Sequence, residues 1–168
     1  MIAAIRYRAD LVQATVDSVT DLFARSEWQA GTSSDSIASA VTNGAVRGAC
    51  EMGANLDGVA QGIMLGAIGG EVELRAPLLD IIRQTSRGTI NAVSELDGDV
   101  GAAVNGLLDG ATQSADARGC DREHAATAAA DGAMLAASKF TELKSDCVRA
   151  ALCAPRLLCR YGMEPNWC

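Results

Sequence analysis

The chain has 168 residues and a formal net charge of −7, with two Phe, two Tyr, two Trp and three Pro. Its length suffices for a substantial core, and alanine richness with scarce proline and aromatics is a helical composition. The acidic balance argues against nucleic-acid binding, which needs a positive footprint, and no apolar run is long enough to predict a spanning helix.

Residues 4–27 predict a first amphipathic helix: Ile5, Val12, Val16, Val19 and Phe23 share one face, and Asp10, Asp17, Asp21 and Arg25 lie off it. The start, Met1 to Asp10, has too short and too charged an apolar run for a signal peptide. The expectation is therefore a reducing, cytoplasmic setting with mostly free thiols. Gly31 to Ser36 is a hydrophilic break, and Ser34 or Asp35 can cap the next helix.

An internal repeat follows, with an offset of 44 residues. It pairs Gly44 with Gly88, Glu51 with Glu95, Gly62 with Gly106 and Gly66 with Gly110. Repeat one spans 36–74 and repeat two 77–117. Each reads as helix, break, helix, although a pair of long kinked helices fits the pattern too. The breaks, Gly53-Ala54-Asn55 and Asp97-Gly98-Asp99, supply Gly for a left-handed turn and Asn55 or Asp99 for an N-cap. Pro77 suits the first turn of its helix. A third unit is predicted as one long helix from Arg122, capped by Asp121, to about Cys153. Residues 154–168 form a Cys-containing tail, and the last 25 residues carry a net charge of +2. The predicted domain is thus 1–153, an all-α antiparallel bundle of helix–turn–helix repeats.

Small residues four apart are the strongest pattern. Gly58, Gly62, Gly66 and Gly70 recur on one helical face, flanked by Val, Ile, Met, Leu and Ala. Four glycines cost a helix about 3–4 kcal/mol against alanine, and close approach of another backbone is the natural compensation. The stripe recurs as Ala102, Gly106, Gly110 and Ser114, and as Ala128, Gly132 and Ala136. Gly44 and Gly48 keep the same spacing. The partner across the stripe is either the same chain or another surface.

The run Gly44-Ala45-Val46-Arg47-Gly48-Ala49-Cys50-Glu51-Met52-Gly53, followed by Gly62-Ile63-Met64-Leu65-Gly66-Ala67-Ile68, resembles uncharacterised bacterial proteins built from Gly/Ala-rich helical repeats. The resemblance covers about residues 40–115 and implies a repeat fold but no activity. More distantly, the alanine-rich amphipathic helices are similar to those of phasins, which coat storage granules, although no phasin motif is present.

Candidate chemistry is thin. Cys147, Cys153, Cys159 and Cys168 cluster near the end, but their spacing matches no standard zinc pattern. They read as free thiols, a disulfide or a metal site, in that order. Cys120 and the lone His124 make a weaker metal pair. Asp97-Gly98-Asp99 is a fragment of a calcium loop without its remaining ligands. With one histidine and no phosphate loop, no enzyme signature or cofactor is expected. The first expectation is a non-enzymatic scaffold that packs on itself or on a protein partner through the small-residue face. The alternatives are a peripheral coat on lipid or a granule, and a Cys-based metal or redox module.

Overall fold

The computed structural model describes residues 2–26, 34–70, 77–154 and 160–161, and within these ranges side chains are described except at 2–9, 23–26, 34–40 and 70. The described residues form seven helices and no strand. These are α1 (Ile2–Ser26), α2 (Ser34–Glu51), α3 (Leu56–Gly70), α4 (Leu78–Glu95), α5 (Val100–Ala117), α6 (Arg122–Ala137) and α7 (Glu142–Leu152).

Local chemistry sets the turns. After α2, Gly53 adopts φ +62°. The Ala54 N–H donates back to the Ala49 carbonyl at 2.9 Å, closing a glycine-type helix end. Asn55 then accepts the Asp57 N–H on its side chain at 2.9 Å and starts α3. After α5, Gly119 takes φ +65°, and the Asp121 side chain caps α6 by accepting from Glu123 and His124. α2 and α3 are therefore separate helices rather than one kinked helix, as are α4 and α5.

Two local expectations are corrected. In the second turn the left-handed residue is Asp97, φ +52°, and not Gly98. Lys144 of α7 holds it there: the ammonium donates to Asp97 Oδ1 at 2.8 Å and to the Ser94 carbonyl at 2.7 Å. Short polar side chains tolerate this conformation when locally bonded. Gly98 instead packs closely, since a Cβ there would stand 2.8 Å from Leu56 Cδ1 and displace that side-chain tip. The second correction concerns the long helix expected from Arg122 to Cys153. It stops at Ala137, where the N–H groups of Lys139 and Phe140 donate three residues back, to Ala136 and Ala137. Thr141 then becomes the N-cap residue of α7. Tightened three-residue turns of this kind end helices that lack a glycine stop.

The most extensive packing joins α1 to α3, α3 to α5 and α4 to α6, followed by α2 with α4 and α5 with α6. Odd and even helices therefore form two rows laid against each other, with α7 resting on α5 and α6. The largest side chains at the centre are Ile63 and Met64 of α3, Ile82 and Ile90 of α4, and Leu107 and Leu108 of α5. α6 is buried largely through alanine, including Ala125, Ala129, Ala133 and Ala136. Alanine buries little area per residue, so this helix depends on closeness to its neighbours rather than on side-chain bulk. Among the described residues no helix is long and apolar enough to cross a membrane.

Candidate functional site

Within the chain, several stripe residues lie directly against a neighbouring helix. A Cβ at Gly62 would come within 2.5 Å of Thr15 Cβ, and one at Gly66 within 2.7 Å of Val19 Cβ, both on α1. On α5, Gly106 lies against the Asp57 carbonyl oxygen, and a Cβ at Gly110 would be 2.8 Å from Met64 Cβ, both on α3. On α6, Gly132 lies against the Arg83 carbonyl of α4. Gly58 and Ala136 are buried, Ala102 is half-buried, and Gly70 is the last residue of α3.

Gly44 and Gly48 differ. Among the described residues nothing lies within 4 Å of a Cβ at either position. They line an apolar groove of about 530 Å³ between α1 and α2, with Leu11, Ala14 and Leu22 on one side and Val41 and Ala45 on the other. Leu22 and Met52 stand at its edge, 47% and 76% exposed.

A second depression, of about 620 Å³, opens across α1, α3 and α5 and mixes apolar side chains such as Val12, Val16 and Leu65 with polar and charged ones. Gln61 donates its amide to the Gln113 side-chain oxygen at 3.0 Å. Arg122 pairs with Asp116 at 3.2 Å, and Arg160 with Asp109 at 3.0 Å. The buried Tyr161 hydroxyl donates to the same Asp109 carboxylate. Burial raises the Tyr161 pKa above its ordinary 10.0, and the hydrogen bond to Asp109 and its charge add to the rise, against Arg160. The phenol therefore stays protonated and acts as a donor that ties residues 160–161 to α5. Residue spacing did not single out this clamp. The available signal was that Tyr161 is one of two tyrosines in a chain poor in aromatics.

Among the described residues no three of His, Cys, Asp and Glu converge to hold a metal. Cys120, in the turn before α6, and His124 are exposed, and His124 Nδ1 lies 3.8 Å from Asp121, the residue that caps α6. Asp97 of the calcium-like fragment is paired with Lys144, which holds its carboxyl below the usual range. Cys147 is an exposed free thiol, as is Cys120, and Cys50 is free and half-buried. Cys153 is disulfide-bonded, the second of the alternatives for the C-terminal cysteines. Its partner, like Cys159 and Cys168, lies outside the described residues. Stable disulfides belong mainly to oxidising compartments, so the thiols lend no support to the expected cytoplasmic setting.

Comparison with protein-family models, curated proteins and solved structures finds no match.

Proposed function

We propose that the chain is a non-enzymatic helical-repeat scaffold, built from helical hairpins with a 44-residue period, that works by packing on protein surfaces. One recurring contact carries the reading. A Cβ at Gly88 of α4 would meet Thr42 of α2 at 3.7 Å, and a Cβ at Gly132 of α6 would meet Ser86 of α4 at 2.8 Å. Both members of the pair advance by 44 residues. Helix starts support the same period: α2, α4 and α6 begin at Ser34, Leu78 and Arg122, and α3 and α5 at Leu56 and Val100. The left-handed residues Gly53 and Asp97 keep the offset too.

In such a stack each hairpin buries its apolar face on its neighbours, and the flanks stay open for partners. The small-residue stripe then serves to bring hairpins together inside the chain, as Gly62, Gly66, Gly106, Gly110 and Gly132 do. A protein partner is favoured over a lipid or granule surface. The large apolar residues left exposed among those described are Leu22, Met52, Leu79, Leu135 and Leu143. They are spread over α1, the end of α2, α4, α6 and α7, whereas a surface coat needs one continuous apolar face.

A duplicated unit tests the repeat. A second copy of residues 78–121 inserted after Asp121 gives the new helix the same Asp cap that α6 has. The longer chain should keep its helicity per residue by circular dichroism and melt cooperatively. An unfolded or aggregated product would overturn the repeat reading, because a closed bundle has no place for two more helices.

A further inference from the structure

We infer that the groove between α1 and α2 is a self-association surface, and that it takes the same groove of a second copy of this chain across a two-fold axis. The register of this inference rests on the repeat reading above. Gly44 and Gly48 of α2 stand 44 residues before Gly88 and Ala92 of α4, and the latter stand 44 before Gly132 and Ala136 of α6. In α4 and α6 these positions face the preceding even helix: Gly88 approaches Thr42, Gly132 lies on Arg83 and Ser86, and Ala92 and Ala136 are fully buried. α2 is the first even helix, and among the described residues nothing lies within 4 Å of a Cβ at its copies of these positions. The surface that elsewhere in the chain is a hairpin–hairpin interface is left uncovered by the described residues here. It remains as an apolar groove of about 530 Å³.

The character of the groove selects a second copy as its occupant. An isologous interface must carry both knob and hole on one patch. The floor is small, formed by Gly44, Ala45 and Gly48, while Leu22 and Met52 project at the edge. Each copy therefore offers two apolar knobs and a floor without side chains to receive them. Charge agrees. The chain as a whole is acidic, so two copies repel over most of their surfaces, yet none of the described residues that line the groove is charged. Away from the groove, α1 exposes Asp10, Gln13, Asp17 and Asp21, a surface unsuited to meeting itself. Arg47 and Glu51 lie exposed one turn apart on α2, so an antiparallel second α2 centred near Gly48 sets each opposite its counterpart of opposite sign.

Sedimentation equilibrium across the micromolar range tests the inference. The wild-type chain should approach twice its monomer mass with rising concentration. Gly48→Glu should weaken the dimer by roughly a hundred-fold in Kd, the scale of losing a buried interface centre. Its circular dichroism should match wild type, because a side chain at position 48 starts in open space. Met52→Glu, at the groove edge, should also weaken the dimer and leave the fold unchanged. Two outcomes overturn the inference: a wild-type chain that stays monomeric, which would leave the groove to a helix of a different protein, or a dimer indifferent to both variants. The two readings fail separately. A duplicated-unit chain that folds while wild type stays monomeric removes the dimer alone. A duplicated-unit chain that cannot fold beside a Gly48-dependent dimer removes the repeat alone.

Discussion

Gly132 of α6 sits so close to α4 that a Cβ there would stand 2.8 Å from the Cβ of Ser86, with the Arg83 carbonyl oxygen closer still. The backbone oxygen cannot swing away as a side-chain tip can. Gly132→Ala should therefore destabilise the fold by about 1–3 kcal/mol, the usual cost of overpacking, even though alanine is the better helix former by about 1 kcal/mol. In the monomer, at concentrations below the dimer range, Gly44→Ala and Gly48→Ala should do the opposite and stabilise by up to about 1 kcal/mol each, since there only propensity changes. Urea denaturation of the three variants checks the contrast. Stabilisation by Gly132→Ala as well would mean that α6 and α4 are not in close contact.

Ser86 carries a second consequence. Its hydroxyl is buried and has no hydrogen-bond partner among the described residues. Ser86→Ala removes an unpaired polar group and should stabilise by about 1 kcal/mol. Thr89, one turn on, donates its hydroxyl to the Thr85 carbonyl at 2.9 Å, so Thr89→Ala should not stabilise. Thermal melts of the two variants side by side distinguish them. A stability loss in Ser86→Ala would reveal a partner for that hydroxyl.

The Tyr161 clamp predicts a pH dependence. The folded phenol binds its proton more tightly than the unfolded one, because it is buried and donates to Asp109. Below the ordinary tyrosine value of 10.0 both states are protonated and the full stabilisation is present. As pH rises past that value the unfolded chain ionises first, and stability falls. Tyr161→Phe should cost about 1.5–3 kcal/mol at neutral pH, the range for a hydrogen bond to a charged group. It should also flatten the alkaline decline, measured as the denaturation midpoint against pH. An equally steep decline in the variant would assign the effect to other groups.

Thiol counting tests the cysteine assignment. The chain has six Cys, and Cys153 is disulfide-bonded. The unreduced, denatured protein should therefore expose no more than four thiols to a thiol reagent. Cys120 and Cys147, which are exposed, should react in the native state. Six thiols in the unreduced sample would refute the disulfide.

The sequence by itself determined the helical class and most helix ends up to Ala117, as well as the cap of α6. Asn55, Asp99 and Asp121 bond to backbone groups two or three residues away, so capping is a local property that spacing along the chain encodes. Features set by distant residues stayed illegible. Asp97 takes the left-handed turn in the company of Lys144, 47 residues on. The stop after Ala137 lies in a stretch without glycine or proline. Tyr161 meets Asp109 across 52 residues. Above all, Gly48 and Gly62 look alike in sequence, each a glycine in a run of small residues four apart. Only the tertiary structure decided that Gly62 presses on Thr15 while Gly48 opens on a groove. Helical periodicity places a residue on a face of its own helix, whereas its neighbour across that face depends on how remote helices stack.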